Sequence, residues 1–360
     1  MRKLLCSMFA IVVCIGCAGQ VKEQKETLFY PPLPQQPRLQ FLTSISTETD
    51  LGGGGKSAFK EFLIGDDTSE KAIGRPLDIG ASKDRIYIVD GTHLKVLILD
   101  LKKKEFSFIK GTRLGAYSHP VGIWVTEDDF KYLTDFKRKQ VIVYDRDDNY
   151  VRTYGKAGEL EKPYDVAVFE GRVYVSDFDR HQISVYDKET GEVIQTIGVL
   201  GNDEGEFYKP AQISVDVQGN LYVTDAFNYR IQKFNPNGDF VRVIGFHGDA
   251  PGAFARPKGL SIDNESHIYV ADTAFENVQI FDAETGQIML FIGGFTEQPG
   301  GMWLPNGIWI DYENVAYFQQ YADKDFRIKY LLYVGNMAGP YRLNVYGFGE
   351  WIGDPLTGDM

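Results

Sequence analysis

One feature constrains this chain more than any other: from residue 74 onward it repeats. Each unit opens on a proline and a short apolar strand, at Pro76, Pro120, Pro163, Pro210, Pro257 and Pro305, with spacings of 44, 43, 47, 47 and 48 residues. A polar turn follows, then an apolar-alternating strand ending in aspartate, a polar loop, and two more strands ending near glycine. The second strands align as IYIVD ending at Asp90, KYLTD at Asp135, VYVSD at Asp177, LYVTD at Asp225 and IYVAD at Asp272; the sixth unit departs, with AYFQQ at Gln319 and Gln320. A period in the forties with about four strands per unit is the pattern of propeller blades. The expected fold class is therefore all-β: a six-bladed β-propeller with four antiparallel strands per blade. Each sheet then buries both faces against its neighbours, which accounts for Val, Ile, Tyr and Phe on both strand faces. Ring closure removes the open edges that would otherwise seed aggregation.

The run Asp225-Ala-Phe-Asn228-Tyr-Arg230-Ile231-Gln232 closely resembles the NHL motif, and six such units cover residues 74 to about 350. The chain thus resembles the NHL-repeat propellers over most of its length. Some NHL and related propellers are lyases or lactonases that hold a metal on the axis; the resemblance to those is one of fold only. The segment Arg38-Leu-Gln-Phe41-Leu-Thr-Ser-Ile45 precedes the first blade and reads as a strand. It is assigned to the outer edge of blade six, closing the ring, with the irregular tail at residues 341–348 as the competitor for that place.

The N-terminus reads as an address. Residues 1–17 have a short basic start (Arg2, Lys3), an apolar run and small residues, too short to span a bilayer and typical of a secretory signal. Cys14-Ile15-Gly16-Cys17 resembles a bacterial lipobox, with Cys14 standing where Leu is usual. The resemblance implies cleavage before Cys17 and lipidation of Cys17; ordinary cleavage after Ala18 or Gly19 is the alternative. Ala18 after the cysteine resembles an outer-membrane sorting signal. The expected organisation is a lipoprotein signal peptide (1–16), a lipid-anchored proline-rich tether (17–37) with Pro31, Pro32, Pro34 and Pro37 favouring an extended spacer, and the propeller (38–360), exported and facing periplasm or cell surface. Cys6, Cys14 and Cys17 are the only cysteines of the 360 residues, so the body has no disulfide, thiolate site or cysteine nucleophile.

Charge and motifs exclude several chemistries. The net charge is -12, and loss of the two leader cations leaves 36 − 50 = −14, which would repel nucleic acid. Gly52-Gly-Gly-Gly55-Lys56-Ser57 fails as a phosphate loop, because the position six before the lysine is Asp50; it reads as a linker. The five aligned aspartates read as acceptors for the turns after their strands. The five histidines (His93, His119, His181, His247, His267) occupy different repeat positions, which argues against a three-histidine metal site. Asp78, Asp165 and Gln212, each two residues after its proline, are the inner-strand polar candidates; Gly122, Gly259 and Gly307 hold the same position elsewhere. Asp78 and Asp165 are a weak alternative metal site at most; no catalytic residue and no cofactor is assigned. Two residues further on stand Gly80, Trp124, Ala167, Ser214, Ser261 and Trp309, read as core packing or as rings narrowing the channel.

The functional expectation falls on the loops between second and third strands, which share a face with the blade-to-blade loops. They contribute Phe136, Lys137 and Arg138 in blade two; Phe178, Arg180 and His181 in blade three; Phe227 and Tyr229 in blade four; and Phe275 in blade five. The blade-to-blade loops add His119, Tyr208, Lys209, Phe246, His247, Phe254, Arg256 and Trp303. Aromatics with arginine are the residue types that anchor interfaces. The expected role is non-catalytic recognition of a protein, peptide or glycan in the cell envelope; a metal-dependent lyase or lactonase with an axial site is the alternative.

Overall fold

A computed structural model describes residues 27–52 and 71–354. The expected signal segment, Cys17, residues 18–26 of the tether and most of the glycine-rich run lie outside the described residues. Six sheets of antiparallel strands surround an axis, each entered by an inner strand that begins on one of the repeat prolines: Pro76–Ser82, Pro120–Val125, Pro163–Phe169, Pro210–Val215, Pro257–Ile262 and Pro305–Asp311. Proline suits the first residue of a strand, where its missing N–H leaves no ladder bond unmade. Each proline pairs with the last residue of the second strand, from Pro76 with Asp90 to Pro257 with Asp272, and in every blade the register shifts immediately afterwards. That bulge re-aims the residues just after the proline toward the axis.

The blades hold together by interdigitated apolar faces. Ile123, Leu133 and Ile142 of blade two pack against Val89, Val96 and Ile98 of blade one, all almost completely buried. Burying one such side chain is worth about 1.5–3 kcal/mol, and the pattern recurs at the blade four–blade five boundary with Ile231, Ile244, Leu260 and Val270.

Blade six differs. Its second strand is Phe326–Asn336, its third Leu343–Trp351, and its outer strand Leu39–Ile45, supplied from the N-terminus. The tail and the N-terminal segment therefore both belong to the blade, side by side: Leu39 pairs with Phe348, and Ser44 Oγ donates to Asn344 Oδ1 at 2.6 Å. Residues Gln319 and Gln320, read from sequence as the end of the second strand, instead lie in a helical turn after the short helix Val315–Phe318. The reason is local. The Gln319 amide takes over ladder duty, donating to the Phe326 carbonyl and accepting from the Ile328 N–H, while Phe318 is buried against Tyr333. The residue equivalent to the strand-ending aspartates is Asn336, which pairs with Pro305.

Part of the expected tether is also structural. Phe29–Tyr30 adds a fifth strand outside Leu39–Ile45. Phe29 packs on Phe326 and Trp351, and Tyr30 on Tyr346, so the prolines that follow form a turn against the blade.

Candidate functional site

The strand-ending aspartates set the geometry of one face. Asp135 accepts from the backbone N–H groups of Ser118 and His119, in the loop entering blade two, and from those of Lys137 and Arg138 in the following turn. Asp90 does the same with Gly74, Arg75, Thr92 and His93, and Asp272 with Ala255, Arg256, Ala274 and Phe275. Each carboxylate thus clamps two loops, more than the single turn expected from sequence. Burial alone would raise Asp90, but the bonds from His93 and the backbone N–H groups outweigh it and hold the carboxyl below its usual range. The residue closing each turn (Leu94, Lys139, His181, Tyr229, Glu276) has φ between 53° and 57°. This left-handed conformation is uncommon for residues with a side chain.

On this clamped face the aromatic residues of blades two to four form a continuous platform. Phe136 contacts Tyr164 (5.9 Å between ring centroids), Tyr164 stacks on Phe178 (5.3 Å), and Phe178 meets Phe227 edge-on (6.2 Å). Phe227 contacts Tyr208, which stacks on His181. Lysines lie over the rings: Lys162 over Phe136 and Phe178, Lys209 over Phe178, and Lys258 of blade five over Tyr164. Lys209 is also paired with Asp179 at 2.5 Å. Phe227 and Tyr208 remain 51% and 44% exposed, so the platform is open to solvent.

The other candidates divide. Phe136, Phe178, Phe227 and His181 all take part in these ring contacts. Tyr229 instead contacts His247, and Phe275 sits in the matching turn of blade five without joining these ring contacts. Lys137 is exposed. Arg138 is committed to structure: its guanidinium donates to the carbonyls of Leu114 and Ala116 and to Gln140. Arg180 donates to the Gly158 carbonyl and lies beside Asp177. Tyr164, Lys162 and Lys258 escaped the sequence reading because it weighed loops by composition. The signal was there: each is a neighbour of a blade-opening proline, at the point where the inner strand leaves this face.

The axis holds the second candidate. Asp78 accepts from Ile123 N–H (2.7 Å) and from the Gln212 side-chain amide (2.7 Å), a bond from blade one to blade four. Asp165 accepts from Ile213 N–H (2.9 Å) and Val166 N–H (2.8 Å), and Gln212 from Leu260 N–H (3.0 Å). Three blades thereby staple the next inner strand in the ring. Glycines make room for them: a Cβ on Gly122 would stand 2.6 Å from Asp165 Oδ1, and one on Gly307 2.6 Å from Asp78 Cα. Burial and the neighbouring Asp165 push Asp78 well above the usual carboxylate range; burial raises Asp165 to about 7, against the backbone bonds from Ile213 and Val166. Two buried like charges are costly to ionise together, so protonated forms are favoured at this pair.

These side chains floor a cavity of about 530 Å³ that opens on the opposite face, among the turns after the inner strands. Trp124 and Trp309 wall it, in edge-to-face contact at 5.2 Å. Both are half-buried. As a metal site the floor fits poorly. All four carboxylate oxygens already accept an N–H, and among the described residues no group of three His, Cys, Asp or Glu is placed to hold an ion.

The comparisons with known proteins agree on the architecture. A family model described as a 6-bladed beta-propeller (DUF5128) matches residues 155–235 and 216–292. The chain is a six-bladed β-propeller. Among solved structures this propeller is similar to virginiamycin B lyase from Staphylococcus aureus (TM-score 0.52, 13% identity, covering 76% of this chain and 84% of that one). It is similar to a structural genomics protein of unknown function from Bacteroides thetaiotaomicron (TM-score 0.58, 15% identity, 86% and 75% covered). It is also similar to XC5397 from Xanthomonas campestris, a gluconolactonase (TM-score 0.55, 14% identity, 88% and 90% covered). At these identities the likeness is one of fold.

Proposed function

We propose that this propeller is a non-catalytic binding module of the bacterial cell envelope, anchored through a lipid on Cys17, that recognises its partner on the clamped loop face. The observation that carries the reading is the platform running from Phe136 through Tyr164 and Phe178 to Phe227, open to solvent and overlaid by Lys162, Lys209 and Lys258. Rings flanked by ammonium groups on a body of net charge -12 favour an anionic partner, an acidic protein patch or a charged glycan. Rings give contact area at low entropy cost, and the cations set the encounter rate and its salt dependence. The test is capture from the source membranes by wild type and by a Tyr164→Ser, Phe178→Ser, Lys162→Ser variant. Loss of the captured partner by a folded variant supports the reading, and unchanged capture refutes it. Anchoring is tested separately by Cys17→Ser, which releases the protein from the membrane fraction if the lipid holds it.

A second reading, a metal-dependent lyase- or lactonase-type enzyme acting at the axis, draws on the cavity and on a carboxyl titrating near neutral pH. The solved neighbours that are lyases or gluconolactonases are compatible with either reading. Metal content of the purified protein decides: a stoichiometric, tightly held ion at the axis would favour the enzyme.

A further inference from the structure

We propose that the axial cavity, on the face opposite the loop platform, is a binding site for a compact organic ammonium ion, seated against Trp124 and Trp309 and neutralising the Asp78–Asp165 pair. The mouth carries the carboxyl groups of Glu127, Asp128 and Glu170, with Lys188 as the only basic group among the described residues that line the cavity. Asp216, which also lines the cavity, accepts from the Asn220 amide and the Tyr222 hydroxyl. Tyr312 is the remaining titratable group there, and burial raises its phenol to about 12, so it stays neutral. A concave, low-dielectric site lined by one sign of charge focuses its field and concentrates counter-ions of the other sign.

The kind of cation follows from the walls. A hard metal ion would need several free oxygen ligands, whereas each axial oxygen already accepts an N–H. An ammonium group needs only field and an acceptor or two, and its alkyl part needs a cover. The paired indoles supply that cover, since tryptophan has the strongest cation-attracting face of the aromatic side chains. A cavity of about 530 Å³ lies in the range of small-molecule sites.

The carboxyl pair gives the site a signature. With protonated forms favoured at Asp78 and Asp165, an arriving cation favours ionisation of the pair, one carboxyl O–H bond breaking and the proton leaving to solvent. Binding below about pH 7 therefore releases a proton, and affinity rises with pH until the pair is ionised. The ligand is either a free amine or the lysine side chain of a peptide.

Titration calorimetry on the purified protein separates these, using n-butylammonium, Nα-acetyl-lysine amide and the neutral n-butanol, in two buffers of different ionisation enthalpy at pH 6 and pH 8. Saturable binding of n-butylammonium with proton release at pH 6, absent for n-butanol, is expected. Binding by butylammonium alone identifies a free amine, and binding by both cations admits a peptide lysine. A folded Trp124→Leu or Trp309→Leu variant should bind about tenfold more weakly, and Lys137→Glu on the other face should bind as wild type does. Absence of saturable heat from both cations, or equal binding of n-butanol, overturns the proposal. So does unchanged affinity in Asp165→Asn. If that variant fails to fold, unchanged affinity in the exposed pair Glu127→Gln, Glu170→Gln overturns it instead.

Discussion

Buried aspartates serve two regions of this molecule in opposite ways. At the clamps, Asp90, Asp135 and Asp272 each gather four backbone N–H donors from two loops. At the axis, Asp78 and Asp165 gather two donors each and confront one another. Side-chain exposure is near zero in both places; at the axis burial is the largest cause that raises both carboxyls, with the charge of Asp165 adding to it for Asp78, whereas at Asp90 the bonds from His93 and the backbone outweigh burial. Asp225 marks the boundary: a single backbone N–H, from Tyr208, is joined by the side chains of Asn228, Arg230 and Gln232, and burial prevails, leaving the carboxyl raised. A repeat position can therefore conserve a shape while its electrostatics drift.

The most severe way to break this contrast is Asp135→Ala. It orphans four N–H groups in two loops, and leaving even some of them unpaired should cost about 3 kcal/mol or more. Urea unfolding checks this, and a loss under about 1 kcal/mol would mean that water replaces the carboxylate.

A sharper test uses pH, because Asp90 and Asp165 must titrate with opposite sign. Asp90 sits below its unfolded value, so its stabilisation is present above the usual carboxylate range and is lost on acidification through its folded value. Asp165 sits above, at about 7. Its contribution is fully present below the unfolded carboxylate range and is lost as pH rises from about 4 to about 7. Wild-type stability should fall over that window, by at most about 1.4 kcal/mol per pH unit from this group. Asp165→Asn should flatten that limb while leaving the acid limb in place, at the cost of one mismatched acceptor; Asp90→Asn should do the reverse. Melting temperature against pH for the three proteins reads it out, and parallel curves would sink the assignment.

The smallest effects separate cations that build the loop face from those that only stand on it. Arg138→Ala removes bonds to two loop carbonyls and to Gln140 and should cost about 1–2 kcal/mol. Lys137→Glu, one residue away and exposed, should change stability by about 0.5 kcal/mol or less. Equal effects would erase the distinction.

Much of this fold could be read from the chain because its punctuation is chemical. Proline marks where an inner strand starts without needing an N–H, and aspartate marks where a second strand meets two loops. Blade six broke the reading because a glutamine side chain imitates backbone: Gln319 bonds to Phe326 and Ile328 as a strand neighbour would. The eleven-residue strand Phe326–Asn336, ending on the aspartate equivalent Asn336, was the better signal. At the axis the residues were legible but their partners were not. Asp78 finds its N–H at Ile123 and its amide at Gln212, 134 positions along the chain, and only the bulge and the closed ring bring these together. The platform was half legible for the same reason: Phe136 and Phe178 lie in loops, while Tyr164 and Lys258 arrive from inner strands.

The outer strand of blade six joins the two ends of the chain, with Ser44 bonded to Asn344 across 300 positions. A ribosome delivers these partners 300 residues apart. Five blades can form while their own segments emerge, since each is built from contiguous sequence, but the sixth waits for the last. Until then Leu39, Leu42 and Ile45 have no sheet to join, and the first and last blades each lack a neighbour. Contacts of such long range are slow to form, and open edges are vulnerable while they wait. A truncated product of this gene is thus marked as incomplete by its own geometry, displaying an unmated strand at its start for as long as the finish is missing.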